Sequence, residues 1–439
     1  MKYLKRINVL KISLLLILTF LVSSINAQQK LTIDDAISIA LKANFDILVA
    51  KNEASIAKVN NTAGNAGMLP TLELTGSANV GQTNVHQKLA DGTESNYPSL
   101  STTNLSAGTQ LSWILYDGGK MFVTKNKLNE IQALGEMQFN DKVMQTLYSV
   151  IAAYYDVVRQ NQQLISIDES LKYSHERVKI AQAGFTAGSL IKSELLMAKI
   201  DLNVAMENEI NQQYVIDAAR KNLNVYLAQN NDSVYEITDS IVLNYSPDKF
   251  SLLQKLNSSN TNILAFQKQI EIAQLSLKEN RSLYLPQLDF KAGYYLSQST
   301  NSHGAIRNNF STGPQVGGTL VVPIYSAGEN KRKVSTAKIM VQNAEYDLQN
   351  LKLQVNTEFE NAFTEFENQQ QLLKIEKENN SLAKENIQIC IERLRLGQST
   401  SLEVRLAQQD YVQSSTRLIN FQYNLKIAET RLKQLVSAL

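Results

Sequence analysis

The chain contains the same pattern twice. Residues 44–74 align with residues 260–290, and LYDGGK at 115–120 aligns with IYSAGE at 324–329. From there the alignment continues without a gap to Leu223 in the first half and Leu432 in the second. A repeat of this length predicts one supersecondary unit built twice. Each half is predicted to contain, in order, a helix, a β-hairpin, a long helix, a glycine turn and a second helix.

Glycine is nearly absent from three long tracts. Only Gly135 occurs between Lys120 and Ala183, none occurs from 189 to 292, and only Gly397 follows Gly328. These tracts are rich in Leu, Ile, Ala, Gln, Glu and Lys, which favour helix. They predict long helical hairpins at about 120–229 and 328–437, the first tract alone being about 96 Å long at the usual helical rise.

Strict alternation of apolar and polar residues marks two other segments. The pattern predicts β-hairpins at about 70–116 and 286–324, with a polar loop between Val80 and Leu105 and a second loop containing Ser297–Asn309. Each strand has about the 9 to 11 residues that a tilted strand needs to cross an outer membrane. The apolar positions are Leu72, Leu74, Gly76, Ala78, Val80, Leu105, Ala107, Thr109, Leu111, Trp113 and Leu115, then Leu288, Phe290, Ala292, Tyr294, Leu296, Val316, Gly318, Leu320 and Val322.

The start of the chain predicts export. Four basic side chains precede an apolar run at 12–22, and small residues lead to Ala27, which is typical of a secretory signal peptide over residues 1–27. Its removal changes the formal net charge from +2 to −2, so nucleic-acid binding loses its electrostatic basis. The one cysteine, Cys390, is far from the cleavage site, so we expect neither a disulfide framework nor a lipid anchor.

Four strands cannot close a barrel, because bacterial barrels begin at about eight strands and an open edge in lipid leaves backbone groups unpaired. A dimer would give eight strands with a filled interior, whereas a trimer would give about twelve and leave a lumen. The polar face favours the water-filled trimer, since it carries Glu73, Ser77, Gln110, Asp289 and Lys291. The predicted fold class is therefore an α+β membrane protein, a trimeric barrel with four strands per chain, continued by long periplasmic helices.

The chain resembles the TolC-like outer-membrane efflux proteins. The resemblance rests on LTIDDAISIALKAN at 31–44, two LP-x-L strand entries, the LYDGGK and IYSAGE strand exits, and the paired turns FTAGSLIKSELLMA and LRLGQSTSLEVRLA. It implies a homotrimer in the outer membrane with a 12-stranded barrel and a 12-helix periplasmic tunnel. It divides the chain into a first repeat at 28–229, an equatorial linker at 230–250 and a second repeat at 251–439.

The same resemblance implies a function and partners. The protein would be the passive exit duct of a tripartite efflux or secretion system, surrounded by outer-membrane lipid. A periplasmic adaptor (membrane fusion) protein would join it to an inner-membrane efflux pump or ABC exporter. Drugs, metal ions and whole proteins all remain open as cargo, because the selecting residues belong to the pump.

Two glycine turns are the predicted adaptor contact at the tunnel tip. Gly188 and Gly397 reverse the chain between long helices, which requires a residue that tolerates positive φ. A helix C-cap alone would explain both glycines, and that alternative stays open. Carried over from the family, the contact residues are Ala187, Gly188, Ser189 and Leu190 in the first turn, and Leu396, Gly397, Gln398 and Ser399 in the second.

One acid follows each turn and is the predicted pore constriction. Glu194 and Glu403 stand six residues beyond the two glycines, where the family carries aspartates at the closed periplasmic entrance. Three-fold symmetry would make each a ring of carboxylates that attracts cations. A solvated glutamate on a helix face is the alternative. The family's second acid is Leu406 here, so the resemblance does not extend to a double acidic ring.

The sequence contains no catalytic or metal-binding motif, so we expect no enzyme activity, cofactor or metal. His86 and His303 lie in predicted extracellular loops, and isolated histidines of this kind are usually solvated. Trp113 is interpreted as an interfacial girdle residue. A periplasmic coiled-coil scaffold without a channel is the rival function, but it leaves the four amphipathic strands unexplained.

Overall fold

The computed structural model describes residues 29–231, 233, 235–304 and 306–439, so the signal-peptide prediction at 1–27 lies outside the described residues. Contacts divide the chain into two units. The first contains residues up to Lys51, Asn140–Thr261 and Leu353–Leu439, and the second contains Asn52–Phe139 and Asn262–Lys352.

In chain order the elements are β1 (Gln29–Lys30), α1 (Ile33–Ala43), α2 (Phe45–Asn60), β2 (Thr71–Lys88), β3 (Glu94–Asp117), α3 (Lys120–Thr186), α4 (Lys192–Tyr226), β4 (Tyr235–Glu236), α5 (Lys249–Ser259), α6 (Thr261–Ser282), β5 (Gln287–Asn301), β6 (Asn308–Val321), α7 (Glu329–Arg395) and α8 (Ser401–Leu435).

The four long strands form one antiparallel sheet in the order β2-β3-β5-β6, which confirms the predicted four strands per chain. The pairing of β3 with β5 joins the two hairpins side by side. Because paired residues share a face, the register places Leu74, Thr109 and Tyr294 on one side and Glu73 and Gln110 on the other.

The strands are longer than predicted. β2 continues beyond Val80 to Lys88, which pairs with Glu94, so the loop predicted from Val80 to Leu105 is wrong. The apolar alternation ends at Val80 because the continuing ladder is mainly polar on both faces, apart from Leu100 and the Val85–Tyr97 pair, while its strand pairing persists. His86 therefore lies in β2, opposite Asn96, and its placement in a loop is also wrong. The second loop is likewise shorter, since β5 reaches Asn301 and β6 begins at Asn308.

The helices are as long as the glycine-poor tracts predicted. α3 and α7 each contain 67 residues, and α4 and α8 each contain 35. Leu, Ala, Gln, Glu and Lys dominate them, and no proline interrupts any of the four. Among the helices that the structure describes, none has a segment apolar enough to cross a membrane.

The main core of the first unit surrounds Tyr154 on α3, which is fully buried. Its hydroxyl donates to the backbone oxygen of Leu31 at 3.0 Å and also to the Asp239 carboxylate. The short strands β1 and β4 pair in parallel beside it, through Gln29 with Tyr235. The segment predicted as an irregular linker, 230–250, thus contributes a two-residue strand and a hydrogen-bond acceptor to this core.

Candidate functional site at the helix turns

The two glycine turns have the same backbone geometry. Gly188 has φ +76° and Gly397 has φ +71°, so both occupy the left-handed region that disfavours other residues. A Cβ at either position would have no atom within 4 Å, so the requirement is conformational rather than steric. Each turn is a Schellman motif, with hydrogen bonds from Gly188 N to Phe185 O (3.1 Å), Ser189 N to Gly184 O (2.9 Å), Gly397 N to Leu394 O (3.1 Å) and Gln398 N to Arg393 O (2.8 Å).

Most of the predicted adaptor-contact residues are exposed. Ala187, Gly188, Ser189, Leu396, Gly397 and Gln398 all face solvent in the single chain, and Leu396 is 70% exposed. Leu190 differs, because its side chain packs beside the small core cluster of Ala181, Leu195 and Ala198. Ser399 is also half-buried. The exposed part of each turn is therefore narrower than the predicted four residues.

Glu403 takes part in the hydrogen bonds that cap the N-terminal end of α8. Thr400 is the N-cap of α8, and its hydroxyl accepts a hydrogen bond from Glu403 N at 3.2 Å. The Ser399 hydroxyl donates to the Glu403 carboxylate, and this bond, with a further one from the Thr400 backbone, lowers the pKa of Glu403 below 4.5. The side chain is exposed and ionised at neutral pH. Glu403 could both cap α8 and face a pore, because the capping contacts hold its carboxylate at the turn.

Glu194 lies at a small cavity rather than on an open helix face. The cavity is about 180 Å³ in volume. Its walls come from the end of α3, the start of α4 and the start of α8: Arg177, Glu194, Met197, Asp201, Thr400, Ser401, Leu402 and Arg405. The fold thus brings the acid of the first turn next to the N-terminal end of α8. The Glu403 side chain is outside this lining.

Arg177 is the functional candidate that the sequence did not indicate. Its side chain is 3% exposed and donates to Asp201 at 2.8 Å, to Ser401 at 3.3 Å and to Gln408 at 3.4 Å. These three partners belong to α4 and α8, so one guanidinium joins both helices to α3. Its partner Asp201 is aligned with Asp410 in the second repeat.

Further polar contacts tie α3 to α7 and α8 near the turns. Glu176 on α3 pairs with Arg395 at 2.7 Å, and Glu169 pairs with Lys384 at 3.2 Å. The Tyr411 hydroxyl also donates to Glu169. That hydrogen bond, reinforced by Lys384, lowers the pKa of the Glu169 carboxyl, whereas burial and the neighbouring Glu169 raise the pKa of Tyr411.

The three histidines lie in different parts of the fold, His86 being in β2. His175 lies within α3, and His303 lies between β5 and β6, where the Ser302 hydroxyl is 2.9 Å from its Nδ1. In the part of the chain that the structure describes, no group of three or more His, Cys, Asp and Glu side chains could hold a metal ion.

The chain matches a known family over most of its length. The family model described as outer membrane efflux protein matches residues 36–229 and 252–438. The chain is 22% identical over 404 residues to the proteases secretion protein PrtF of Dickeya chrysanthemi, covering 89% of this chain and 84% of that protein. It is 22% identical over 337 residues to the outer membrane efflux protein BepC of Brucella suis, covering 74% and 70%.

Solved structures share the fold. The outer membrane protein VceC of Vibrio cholerae superposes with a TM-score of 0.74 at 16% identity, covering 92% of this chain and 96% of that chain. The CmeC outer membrane channel of Campylobacter jejuni superposes with a TM-score of 0.76 at 17% identity, covering 92% and 85%.

Proposed function

The chain belongs to the outer membrane efflux protein family, and we propose that three copies of it build one twelve-stranded exit duct through the outer membrane. Its function is that of an outer-membrane efflux or secretion channel, as in the relatives PrtF and BepC. The observation that carries the trimer is the open four-stranded sheet, whose two outer strands have no partner strand within the described part of the chain.

The directions of the outer strands suit closure by identical copies. All three pairings in the sheet are antiparallel, so β2 and β6 run in opposite directions. The β6 edge of one copy can therefore pair with the β2 edge of the next in the same antiparallel pattern. Three such sheets would leave no open edge in lipid, where an unpaired backbone group costs several kcal/mol.

One face of the sheet has the chemistry of a lipid contact. Leu72, Leu74, Val316 and Leu320 are between 64% and 79% exposed in the single chain. The opposite face is polar, with the Ser77 and Ser106 hydroxyls hydrogen-bonded to each other at 2.8 Å. This division supports a barrel with lipid outside and water inside. It argues against a scaffold without a channel, because such a protein would leave a large apolar face in water.

The helices carry a second unpartnered surface. On α7, Ile375, Leu382 and Ile389 recur every seven residues and are exposed, from 50% at Ile389 to 58% at Leu382. A heptad stripe of this kind packs against another helix in coiled coils. The stripe supports packing of α7 against a helix of a neighbouring copy, as a helical periplasmic tunnel would require.

The equal helix lengths support an internal duplication. The pairs α3 and α7, and α4 and α8, match residue for residue in length. We propose that the chain is built from two repeats, at 28–229 and 251–439, around the linker 230–250. The signal peptide at 1–27 and the absence of a lipid anchor stay part of this proposal.

The turns and the acids complete the proposed system. The exposed glycine turns, centred on Gly188 and Gly397, are the proposed contact for a periplasmic adaptor, which would link the duct to an inner-membrane pump or ABC exporter. The carboxylates of Glu403 and Glu194 are the proposed constriction at the periplasmic entrance. Transport energy then comes from the pump, since the duct is passive.

The test is the location and mass of the full-length protein. It should be recovered in the outer-membrane fraction and should have three times the mass of one chain by light scattering after subtraction of detergent. A monomer in that measurement, or recovery from the soluble periplasm, would refute the proposal. A stable dimer would refute the twelve-stranded barrel specifically.

A further inference from the structure

Tyr295 is a single aromatic side chain on the polar face of the sheet. It lies on β5, where the register pairs it with Gly108 of β3 and Gly313 of β6. Within the described ranges 71–83, 102–114, 287–301 and 308–321, the other positions that share this face carry no Phe, Tyr or Trp. A large ring in this place must either stand away from the sheet or lie along it.

Two glycines hold the ring against the sheet. A Cβ added to Gly108 would lie 2.6 Å from Cδ1 of Tyr295, and one added to Gly293 would lie 2.9 Å from its Cε2. Real Cβ atoms do not approach other atoms this closely, so the ring occupies space that both side chains would need. Backbone oxygens add to the crowding, that of Thr109 at 2.6 Å from a Cβ on Gly293 and that of Tyr294 at 3.0 Å from a Cβ on Gly108. Gly108 is accordingly the one buried residue of β3, whose other residues are exposed or half-buried in the single chain.

A hydrogen bond fixes the far end of the ring. The Tyr295 hydroxyl donates to Oε1 of Gln110 at 2.9 Å, and Gln110 is the residue paired with Gly293. The ring therefore crosses from β5 toward β3 with its hydroxyl anchored on the same face. The contact is one-sided, because a Cβ at Gly313 on the β6 side would have nothing within 4 Å.

We propose that Gly108 and Gly293 set the width of the channel by holding the Tyr295 ring flat on its inner wall. This inference rests on the proposed function, which makes the polar face the lumen. In a trimer three such rings would lie at one level, so displacing them would narrow the duct from three sides. The glycines would thus determine the largest cargo that can leave, without contacting the cargo themselves.

The proposal can be tested by the rate at which an engineered cysteine is labelled from outside the cell, because that rate does not depend on the periplasmic constriction. Lys291 and Asn104 share the polar face with Tyr295, Lys291 toward the helix end of the sheet and Asn104 toward the loop end. In full-length protein with Cys390→Ser, Lys291→Cys reports on passage beyond the ring, and Asn104→Cys reports on the space before it. Intact cells are treated from outside with a small maleimide or with one carrying a bulky polyethylene glycol chain.

The substitution Gly108→Ala should slow labelling of Lys291→Cys by the bulky reagent severalfold and leave the small reagent unaffected. Labelling of Asn104→Cys should not change. Adding Tyr295→Ser to Gly108→Ala should restore the original rate, because the displaced ring is then gone. Gly313→Ala is the matched control, since it adds the same methyl group opposite Tyr295 on the open side and should have no effect.

Two results would overturn the inference. One is an unchanged rate in Gly108→Ala when trimers are present at the normal level. The other is severalfold faster labelling of Lys291→Cys by the bulky reagent in Tyr295→Ser alone, which would mean that the ring already obstructs the lumen. This second result decides the question if Gly108→Ala does not assemble. A failure of the proposed function is distinguishable, because the protein carrying only Cys390→Ser and Lys291→Cys would then be missing from the outer-membrane fraction or would not be a trimer.

Discussion

The side-chain Nδ2 of Asn44 donates to the backbone oxygen of Tyr226 at 2.8 Å, and Nδ2 of Asn260 donates to the backbone oxygen of Leu435 at the same distance. Each asparagine stands between two short helices and reaches the last residue of a 35-residue helix. The two asparagines are the aligned first residues of the repeated segments. The same long-range tie therefore occurs once in each half of the chain.

Replacement of either asparagine by alanine should lower stability by a similar amount. Asn44 also accepts from Ile47 N, so Asn44→Ala loses a helix cap and a buried hydrogen bond, together about 2 kcal/mol. Asn260→Ala should have a comparable cost. The measurement is the thermal midpoint of the helical circular dichroism signal in detergent. Asn257→Ala, at an exposed position nearby, is the control, and an equal loss there would show that the tie is unimportant.

Gly397→Glu should abolish export while trimers still assemble. The new side chain has space at the turn, so the cost to folding is the left-handed backbone, about 1 kcal/mol. Gly397→Asn is the matched control, because asparagine tolerates this conformation and adds no charge. The readout is whichever resistance or secretion phenotype the gene deletion causes in the native host. If Gly397→Glu loses the trimer as well, the turn is required for folding only.

Glu403→Gln should remove most of the block that trivalent cations cause when added on the periplasmic side of a reconstituted channel. Glu194→Gln should remove less, and Glu378→Gln, at an exposed position on α7, should remove none. The hydrogen bond from Ser399 lowers the pKa of Glu403, so the block should persist to a lower pH than the ordinary pKa of a glutamate would allow. An unchanged block in Glu403→Gln would place this carboxylate outside the pore.

The contact between Glu169 and Tyr411 should make stability depend on acid pH. The pKa of Glu169 is lowered in the folded protein, so its contribution is complete above the unfolded value of 4.5 and is lost as the pH falls through the lower, folded value. Thermal midpoints measured from pH 7 to about pH 3 should fall less steeply in Glu169→Gln than in the original protein. The control is Glu385→Gln on α7, and equal slopes for all three proteins would contradict the prediction.

The four strands could be predicted because their apolar alternation is a local signal. The ends of β2 could not, since from Gly81 to Lys88 pairing continues without an apolar face. The pairing of β3 with β5 is also absent from any local pattern, because it joins segments separated by about half the chain. Likewise, β1 and β4 are each two residues long, and each is a strand only through its pairing with the other.

The turn glycines could be found from the sequence because positive φ selects glycine. Arg177 could not, since an arginine within a 67-residue polar helix has the same local pattern as a solvated one. Only the packed structure places it against Asp201 and Gln408 and buries it. The capping contacts of Glu403 are local, because Ser399 and Thr400 stand four and three residues before it. A serine or threonine three residues ahead of a glutamate is a sequence signal for a helix N-terminus.

The open edges of β2 and β6 have a consequence for biogenesis. In the proposed trimer, a single chain cannot insert into lipid alone, because the backbone groups along both edges would have no hydrogen-bond partners there. The proposed trimer therefore requires insertion and assembly to be a single event, with each chain remaining in the aqueous compartment until its neighbours are present. The yield of mature ducts should then rise more steeply than the rate of synthesis, and waiting chains should depend on chaperones that cover strand edges.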